Sequence, residues 1–276
     1  QSYFFSKLQG MKNQAQIGII GGSGFYDLAT GLKEIKVETP YGAPSDKIAI
    51  GKIFGKSVAF LPRHSKNHDI PPHLINYRAN IWALKSLGVE RILTSLAVGS
   101  LQTAYKPGDI VLLDQFIDRT NNRIDTFYDG PIVTHISSAF PYCSQMRDLI
   151  ENKAKEIDLN IHKKGTVVVI QGPRFSSAAE SMWFTQMGWH TVNMTQYPEI
   201  VLVKEKEMCY TGIAVVTDYD CGLVAEGKVK PVTVEEITLN FKQNIDKIKR
   251  LMILIIKNWP LRRTCGCDKT LVGSRF

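Results

Sequence analysis

The stretch TVVVIQGPRFSSAAESMWFTQMG, residues 166–188, contains the strand, turn and helix that decide the fold class. Residues 166–170 are a β-branched run, which predicts a buried strand. Gly172 ends that strand, and the spacing of Ser177 and Glu180 is that of a capping box, which predicts a helix directly after it. A strand followed at once by a helix is the unit from which α/β folds are built.

The same alternation continues on both sides of this unit. Short apolar runs predict strands, helical spacing predicts helices, and Thr233 with Glu236 gives a second capping box. The sequence therefore predicts a single-domain, three-layer α/β fold with a central mixed, largely parallel twisted sheet flanked by helices. We expect residues 1–11 to form an N-terminal extension and residues 12–276 to form the domain. The further strands are expected at residues 17–20, 57–61, 91–98, 109–113, 191–194 and 209–217, and the further helices at 74–87, 199–207 and from 233 onward.

The composition of the 276 residues is that of a folded protein, with 44% hydrophobic and 22% charged residues. The formal net charge of +8 suits an anionic partner, but the basic residues are dispersed, which favours small phosphates over nucleic acid. No apolar run approaches the roughly 20 residues that span a bilayer, and residues 1–10 lack the pattern of a signal peptide. Five cysteines are too scattered for a secreted disulfide scaffold, so we expect a cytoplasmic protein without a membrane partner.

Ligand sites in such sheets form at the carboxyl ends of strands, where the unusual residues of this sequence lie. The turn around Ser23 follows the first strand; its flanking glycines let the backbone approach an anion, although they also suit a plain tight turn. Arg63 and His64 follow the second strand, and the planar donor fork of an arginine fits phosphate. One alternative is that Arg63 and His64 are an ordinary surface pair. Another is a metal site at His64 and His68, which the nearby prolines disfavour because they argue against a long helix there.

Two further segments place polar residues just past strands. Asn193, Met194 and Thr195 offer a hydroxyl for phosphate and a thioether for a sugar, while a structural role stays open. Asp218 and Asp220 follow a long apolar strand, where two acids cost desolvation free energy unless they meet a partner. A purine is such a partner, because N7 takes a proton and an exocyclic amine donates hydrogen bonds. A solvated acidic turn is the alternative.

These segments belong to a set of eight stretches that run through the chain: residues 17–24, 40–46, 76–84, 107–110, 114–120, 172–177, 193–195 and 217–221. In this order the set resembles the trimeric purine nucleoside phosphorylase family, and most of all its 5'-methylthioadenosine phosphorylase branch. The resemblance implies a nucleoside phosphorylase-like fold and a pentosyltransferase that cleaves 5'-methylthioadenosine to adenine and 5-methylthioribose 1-phosphate. It also implies inorganic phosphate as the co-substrate, with no metal and no organic cofactor.

The resemblance further implies roles for residues at matching positions. Asp218 is expected to protonate the leaving purine at N7, Asp220 to select the 6-amino group, and His64 to act beside the phosphate. His135 is expected to reach the pocket of a neighbouring subunit, which implies a homotrimer or a homohexamer. Phosphate is expected among Ser23, Arg63, His64, the Ala97 backbone and Thr195. The nucleoside is expected to contact Phe175, Asn193, Met194, Asp218, Asp220, His135, Val234 and Ile237.

The sequence departs from the family pattern at two positions and carries an unusual tail. Leu96 stands where relatives usually have a small hydroxyl or amide residue, and Gln171 replaces a common Glu. The C-terminal segment with Cys265 and Cys267 resembles that of archaeal members from hot environments, which contain disulfides although they are intracellular proteins. That resemblance implies one disulfide between Cys265 and Cys267, another between Cys143 and Cys209, and a free Cys221, with five reduced thiols as the alternative.

Other functions are compatible with parts of the pattern. The first is a broad purine nucleoside phosphorylase that accepts adenosine, inosine or guanosine, and the second is a nucleoside hydrolase, which Arg63 and His64 disfavour. A third is a nucleoside-binding protein that keeps the fold but has lost catalytic activity. Leu96 would be an early sign of that loss. A metal hydrolase would use His64, His68 and His73.

Overall fold

The computed structural model describes residues 14–21, 28–230 and 234–275, without the side chains of residues 234–243 and 245. The strands are β1 (Ile17–Gly21), β2 (Thr30–Ile35), β3 (Ile48–Ile53), β4 (Lys56–Pro62), β5 (Arg91–Ser100), β6 (Ile110–Leu112), β7 (Gln115–Arg119), β8 (Ile161–His162), β9 (Thr166–Ile170), β10 (Thr191–Asn193) and β11 (Cys209–Tyr219). The α-helices are α1 (Tyr77–Ser86), α2 (Ser144–Glu156), α3 (Ala178–Gln186), α4 (Gln196–Glu205), α5 (Cys221–Ala225) and α6 (Val234–Lys257). Two 3-10 turns lie at Pro72–Leu74 and Gly266–Lys269.

The strands form one sheet with the order β2-β3-β4-β1-β5-β10-β9-β7, and β11 pairs with β5 and β6 off this path. Strand β5 is parallel to β11 along its length and to β1 at its first residues, and its last residues pair antiparallel with β10. Antiparallel pairing also joins β2, β3 and β4, while β4 is parallel to β1 and β9 is parallel to β7 and β10. The predicted mixed, largely parallel sheet is therefore confirmed.

Helices cover both faces of this sheet. On β11, Ala214 and Val216 pack into the same apolar cluster as α1 and α4, whereas Ile213 and Val215 pack into the cluster that contains α2 and α6. Successive side chains of a strand point to opposite faces, so this division gives the three layers that the sequence predicts. Within the described residues, none of the helices is long and apolar enough to cross a membrane.

The capping residues set the helix boundaries where periodicity alone could not. The predicted capping box of α3 is present, because Ser177 Oγ accepts from the Glu180 amide at 3.2 Å and the Glu180 carboxylate accepts from the Ser177 amide at 2.8 Å. The helix predicted at residues 74–87 instead begins at Tyr77, since the Asn76 side chain caps it. Helix α4 is interrupted by the non-helical backbone of Tyr197, so its regular turns begin next to the predicted start at residue 199. The capping box at Thr233 lies outside the described residues.

Candidate active site

A cavity of about 590 Å³ lies at the carboxyl ends of the central strands. The residues after β4 form one wall, the end of β5 forms the floor, and the last residues of β9, β10 and β11, with those that follow them, form the remaining walls. In an α/β sheet this edge is where the loops diverge and where side chains from several strands meet. The cavity is lined by Gly21, Arg63, His64, Ser65, His68, Pro72, Ser95, Leu96, Ala97, Val98, Gly99, Ile170, Phe175, Ser176, Val192, Asn193, Met194, Thr195, Thr217, Asp218 and Asp220.

Most of the residues singled out from the sequence meet in this cavity. His135 is the exception among the described side chains: it lies on the loop after β7, where its amide donates to the Ser274 carbonyl at 2.8 Å. Ser23 lies outside the described residues, and the side chains of Val234 and Ile237 are not described. The predicted residues that line the cavity are Arg63, His64, Ala97, Phe175, Asn193, Met194, Thr195, Asp218 and Asp220.

Arg63 brings a fixed positive charge to the cavity although its side chain is buried. Glu199 on α4 accepts two hydrogen bonds from its guanidinium, from Nε at 2.7 Å and from Nη2 at 2.8 Å, and Nη2 also donates to Thr94. Burial by itself would lower the pKa of Arg63, but the charge and hydrogen bonds of Glu199 raise it above the usual arginine value. The sequence did not single out Glu199 or Thr94, because neither is near Arg63 in the chain.

His64 is neutral at physiological pH. Burial is the main reason that its pKa is lowered to about 4, and the nearby Arg63 charge acts in the same direction. Its Nδ1 lies 2.8 Å from the Ile70 carbonyl oxygen, which can only accept, so Nδ1 carries the proton. The other ring nitrogen, Nε2, is therefore an acceptor. The ring lies 4.7 Å from that of His68, measured between centroids, in the cavity wall.

The carboxyl groups of Asp218 and Asp220 lie in the opposite wall. Burial raises the pKa of both. The Thr217 hydroxyl, which donates to Asp218 Oδ1 at 2.6 Å, opposes this for Asp218, and the nearby Ser181 and Ser176 hydroxyls oppose it for Asp220. Asp220 is only 6% exposed, and within the described residues its Oδ2 has no hydrogen-bond partner. A buried carboxyl oxygen without a partner is costly, which indicates a ligand that donates a hydrogen bond here.

Further unpaired polar groups lie between these two walls. The Nδ2 and Oδ1 atoms of Asn193 and the Oγ of Ser176 are buried, and the described part of the chain offers them no hydrogen-bond partner. Thr195 stands at the N-cap position of α4, yet its side chain makes no capping hydrogen bond. Phe175 is 78% exposed at the cavity mouth, an unusual position for a large aromatic ring. The cavity thus combines unpaired polar groups with apolar lining residues and an exposed aromatic ring.

Comparison with known proteins agrees with this geometry. The model of a family described as the phosphorylase superfamily matches residues 16–257.

The chain belongs to the phosphorylase superfamily.

Proteins named S-methyl-5'-thioadenosine phosphorylase are similar over almost the whole chain. That of Thermofilum pendens is 50% identical over 260 residues, covering 94% of this chain and 97% of its own. That of Saccharolobus solfataricus is 51% identical over 264 residues, covering 94% and 96%. A solved methylthioadenosine phosphorylase from an antarctic soil metagenomic library has a TM-score of 0.88 and 38% identity, covering 96% of this chain and 93% of that one. The resemblance stated from the motifs is confirmed.

The departures from the phosphorylase pattern occupy different places. Leu96 is buried and lines the cavity, so this departure places an apolar side chain in the cavity lining. Gln171 instead supports the loop after β9, since its Oε1 accepts from the Asn121 amide at 3.0 Å and from Arg123 Nε at 3.1 Å. The amide side chain thus accepts both hydrogen bonds without a carboxylate.

A cluster of four cysteines lies away from the cavity of this phosphorylase superfamily member. The Sγ atoms of Cys143, Cys209, Cys265 and Cys267 lie within 4.8 Å of one another, and those of Cys209 and Cys265 are 3.4 Å apart. Among the described residues this is the one group of three or more possible ligands close enough to hold a metal ion. Four such sulfur atoms can form two disulfides or bind a tetrahedral thiophilic cation. The predicted disulfide pairing stays a prediction.

Thiol counting distinguishes these states of the cluster. We expect one reactive thiol per chain after denaturation without reductant, that of Cys221, because its Sγ lies apart from the cluster and donates to the Ser176 carbonyl at 3.2 Å. Reduction should raise the count to the five cysteines of the sequence. Five reactive thiols before reduction would rule out the disulfides, and one equivalent of zinc released at the same time would assign the cluster to a metal.

Proposed function

We propose that this protein cleaves 5'-methylthioadenosine with inorganic phosphate, giving adenine and 5-methylthioribose 1-phosphate. The observation that carries the proposal is one cavity with an arginine and a neutral histidine in one wall and two carboxyl groups in the opposite wall, of which Asp218 is partly buried and Asp220 is buried. Strands β4 and β11 supply these walls and are separated by β1 and β5. Three strand spacings amount to roughly 14 Å, enough for a phosphate, a ribose and a purine in a row.

Phosphate is the nucleophile and binds in the Arg63 wall. The guanidinium, the Thr195 hydroxyl and the backbone at Ala97 hold its oxygens below C1' of the ribose. Neutral His64 accepts a hydrogen bond through Nε2 from a protonated phosphate oxygen or from a ribose hydroxyl. Holding the nucleophile in line with C1' replaces a bimolecular encounter by an intramolecular step, which lowers the barrier by several kcal/mol, up to about 7–11 in ideal models.

The purine leaves from the opposite wall. As the bond between C1' and N9 breaks and the bond from phosphate oxygen to C1' forms, the electron pair goes to the purine and Asp218 donates its proton to N7. Burial raises the pKa of Asp218, which favours the protonated acid that this step needs. The unpaired Oδ2 of Asp220 accepts a hydrogen bond from the 6-amino group of adenine.

The sugar and its 5'-methylthio group occupy the centre and mouth of the cavity. Asn193 pairs its buried amide with the nucleoside, and Met194 and Phe175 pack against ribose and base. His135 of a neighbouring subunit closes the mouth together with Val234 and Ile237, which makes the active form a homotrimer or a homohexamer. The enzyme works in the cytoplasm and needs neither a metal nor an organic cofactor.

Adenosine is a second candidate substrate. A solved relative from Schistosoma mansoni, 37% identical with a TM-score of 0.87 and covering 95% of this chain and 99% of its own, is named an adenosine/methylthioadenosine phosphorylase. Both nucleosides share the adenine that Asp220 reads and differ only at the 5' position.

The reaction is tested by incubation with 5'-methylthioadenosine, with and without phosphate, while adenine is followed by chromatography. We expect adenine release only with phosphate and in equal amount to 5-methylthioribose 1-phosphate. Adenosine and inosine run in parallel, and adenosine should be cleaved more slowly and inosine least. Release of adenine without phosphate would assign the protein to the hydrolases, and comparable cleavage of inosine to the broad phosphorylases.

A further inference from the structure

A buried carboxylate behind the cavity fixes the orientation of Arg63. Glu199 is 1% exposed and does not line the cavity, yet its two oxygens take the Nε and Nη2 hydrogens of Arg63 at 2.7 and 2.8 Å. Thr94 on β5 accepts a second hydrogen bond from Nη2. Two of the three guanidinium nitrogens are therefore committed to the protein interior, and Nη1 makes no hydrogen bond within the described residues.

We propose that Glu199 is a positioning residue for phosphate, which holds the guanidinium plane of Arg63 so that Nη1 is the donor presented to an oxyanion in the cavity. The proposal rests on the phosphate role of Arg63 stated above. It assigns a part in the reaction to a side chain that touches neither substrate.

Glu199 is itself held by a chain of buried hydrogen bonds. The Tyr210 hydroxyl donates to Glu199 Oε1 at 2.5 Å, Gln196 Nε2 donates to the Tyr210 oxygen at 2.7 Å, and the Tyr142 hydroxyl donates to Gln196 Oε1 at 2.8 Å. Each group in this chain has one consistent donor and acceptor role, so the carboxylate cannot rotate without leaving a buried group unpaired. The free energy that such a loss costs keeps Arg63 in one orientation.

Charge alone does not explain why Glu199 lies there. A carboxylate paired with the phosphate-binding arginine reduces the net positive charge that draws phosphate in, so on Coulomb attraction alone it weakens binding. Its contribution is to fix the orientation of the Arg63 guanidinium, since a planar donor group binds an oxyanion well in only one orientation. Glu199 lies in α4 after the non-helical backbone at Tyr197, so it belongs to the regular turns of that helix.

The variant Glu199→Gln tests the proposal, because it keeps the volume and removes the charge and one acceptor. The amide nitrogen of the new side chain then faces a guanidinium donor, and Arg63 loses its fixed plane. We expect KM for phosphate to rise by roughly 10- to 100-fold, the effect of one or two charge-assisted hydrogen bonds. KM for 5'-methylthioadenosine should change by less than about threefold, because the nucleoside does not depend on this arginine.

Glu205→Gln is the matched control. Glu205 lies on the same helix and is also buried, but it accepts from the Thr126 hydroxyl and the Phe127 amide, both at 2.7 Å and outside the cavity. We expect it to lower Tm without raising KM for phosphate. If Glu199→Gln lowers Tm in the same way and leaves KM for phosphate unchanged or smaller, the pair is merely structural and the proposal is overturned.

Tyr210→Phe decides the question if Glu199→Gln does not fold. It keeps the charge of Glu199 and removes only the hydroxyl that fixes it, so KM for phosphate should rise less, by about three- to tenfold. An unchanged phosphate KM in a folded Tyr210→Phe protein would count against the proposal. Wild-type protein that releases adenine without phosphate would overturn the proposed function first, and that result is visible before any variant is made.

Discussion

Replacing Asp218 by Asn should lower kcat by about 10²- to 10⁴-fold, the range attributed to a positioned general acid. The amide keeps the size of the carboxyl and can donate a hydrogen bond to N7, but it cannot transfer a proton to it. The purine must then leave as an anion, and the barrier rises accordingly. Steady-state kinetics with saturating phosphate and 5'-methylthioadenosine measure this effect, and a kcat within about threefold of wild type would contradict the role.

The pH profile is the control for that variant. Burial raises the pKa of Asp218, and the reaction needs the protonated acid, so kcat should fall as the pH rises through that raised pKa. The Asn variant should lack this dependence, since its side chain does not titrate. His64 adds none near neutral pH, because its pKa is lowered to about 4 and it stays neutral above that value. A variant with an unchanged profile would assign the dependence to another group.

The layered fold is predictable because its signal is local. A β-branched run followed by a turn and a capping box gives β9 and α3 without any knowledge of the rest of the chain. Strand β2, which pairs with β3 at the edge of the sheet, carries no such signal. All its side chains but that of Ile35 are exposed, and its apolar residues do not alternate. Edge strands of this kind are defined by their neighbours rather than by their own pattern.

The candidate site shows the same division between local and distant information. Asp218 and Asp220 stand out because acids directly after a buried strand need a partner, and the carboxyl ends of strands meet at one edge. Glu199 does not stand out, because it is 136 residues from Arg63 and reads as one more polar residue of a helix. Only the packing of α4 under the cavity shows that its charge is buried against that arginine. Pairings of this kind are set by tertiary structure.

The proposed preference for adenine depends on a single carboxyl oxygen. Oδ2 of Asp220 is buried without a partner among the described residues, and burial raises the pKa of the group. The 6-amino group of adenine donates to such an oxygen, whereas the 6-oxo group of hypoxanthine can only accept. When hypoxanthine takes the place of adenine, its 6-oxo group faces the carboxylate and two hydrogen-bond acceptors meet in a buried site. Each buried group left without a partner costs about 1–3 kcal/mol. The proposed role of Asp220 therefore predicts discrimination between the two bases at this one position.

The variant Asp220→Asn should reverse part of that discrimination, since its amide can donate to a 6-oxo group. We expect the ratio of kcat/KM for 5'-methylthioadenosine to that for 5'-methylthioinosine to fall by about 10- to 100-fold, the effect of a hydrogen bond to a charged group gained by one base and weakened for the other. Phosphate KM is the internal control and should stay constant, because Arg63 and Thr195 are unchanged. A constant nucleoside ratio in the folded variant would show that another group reads the purine, and the role of Asp220 would be limited to holding Asp218 protonated through its neighbouring charge.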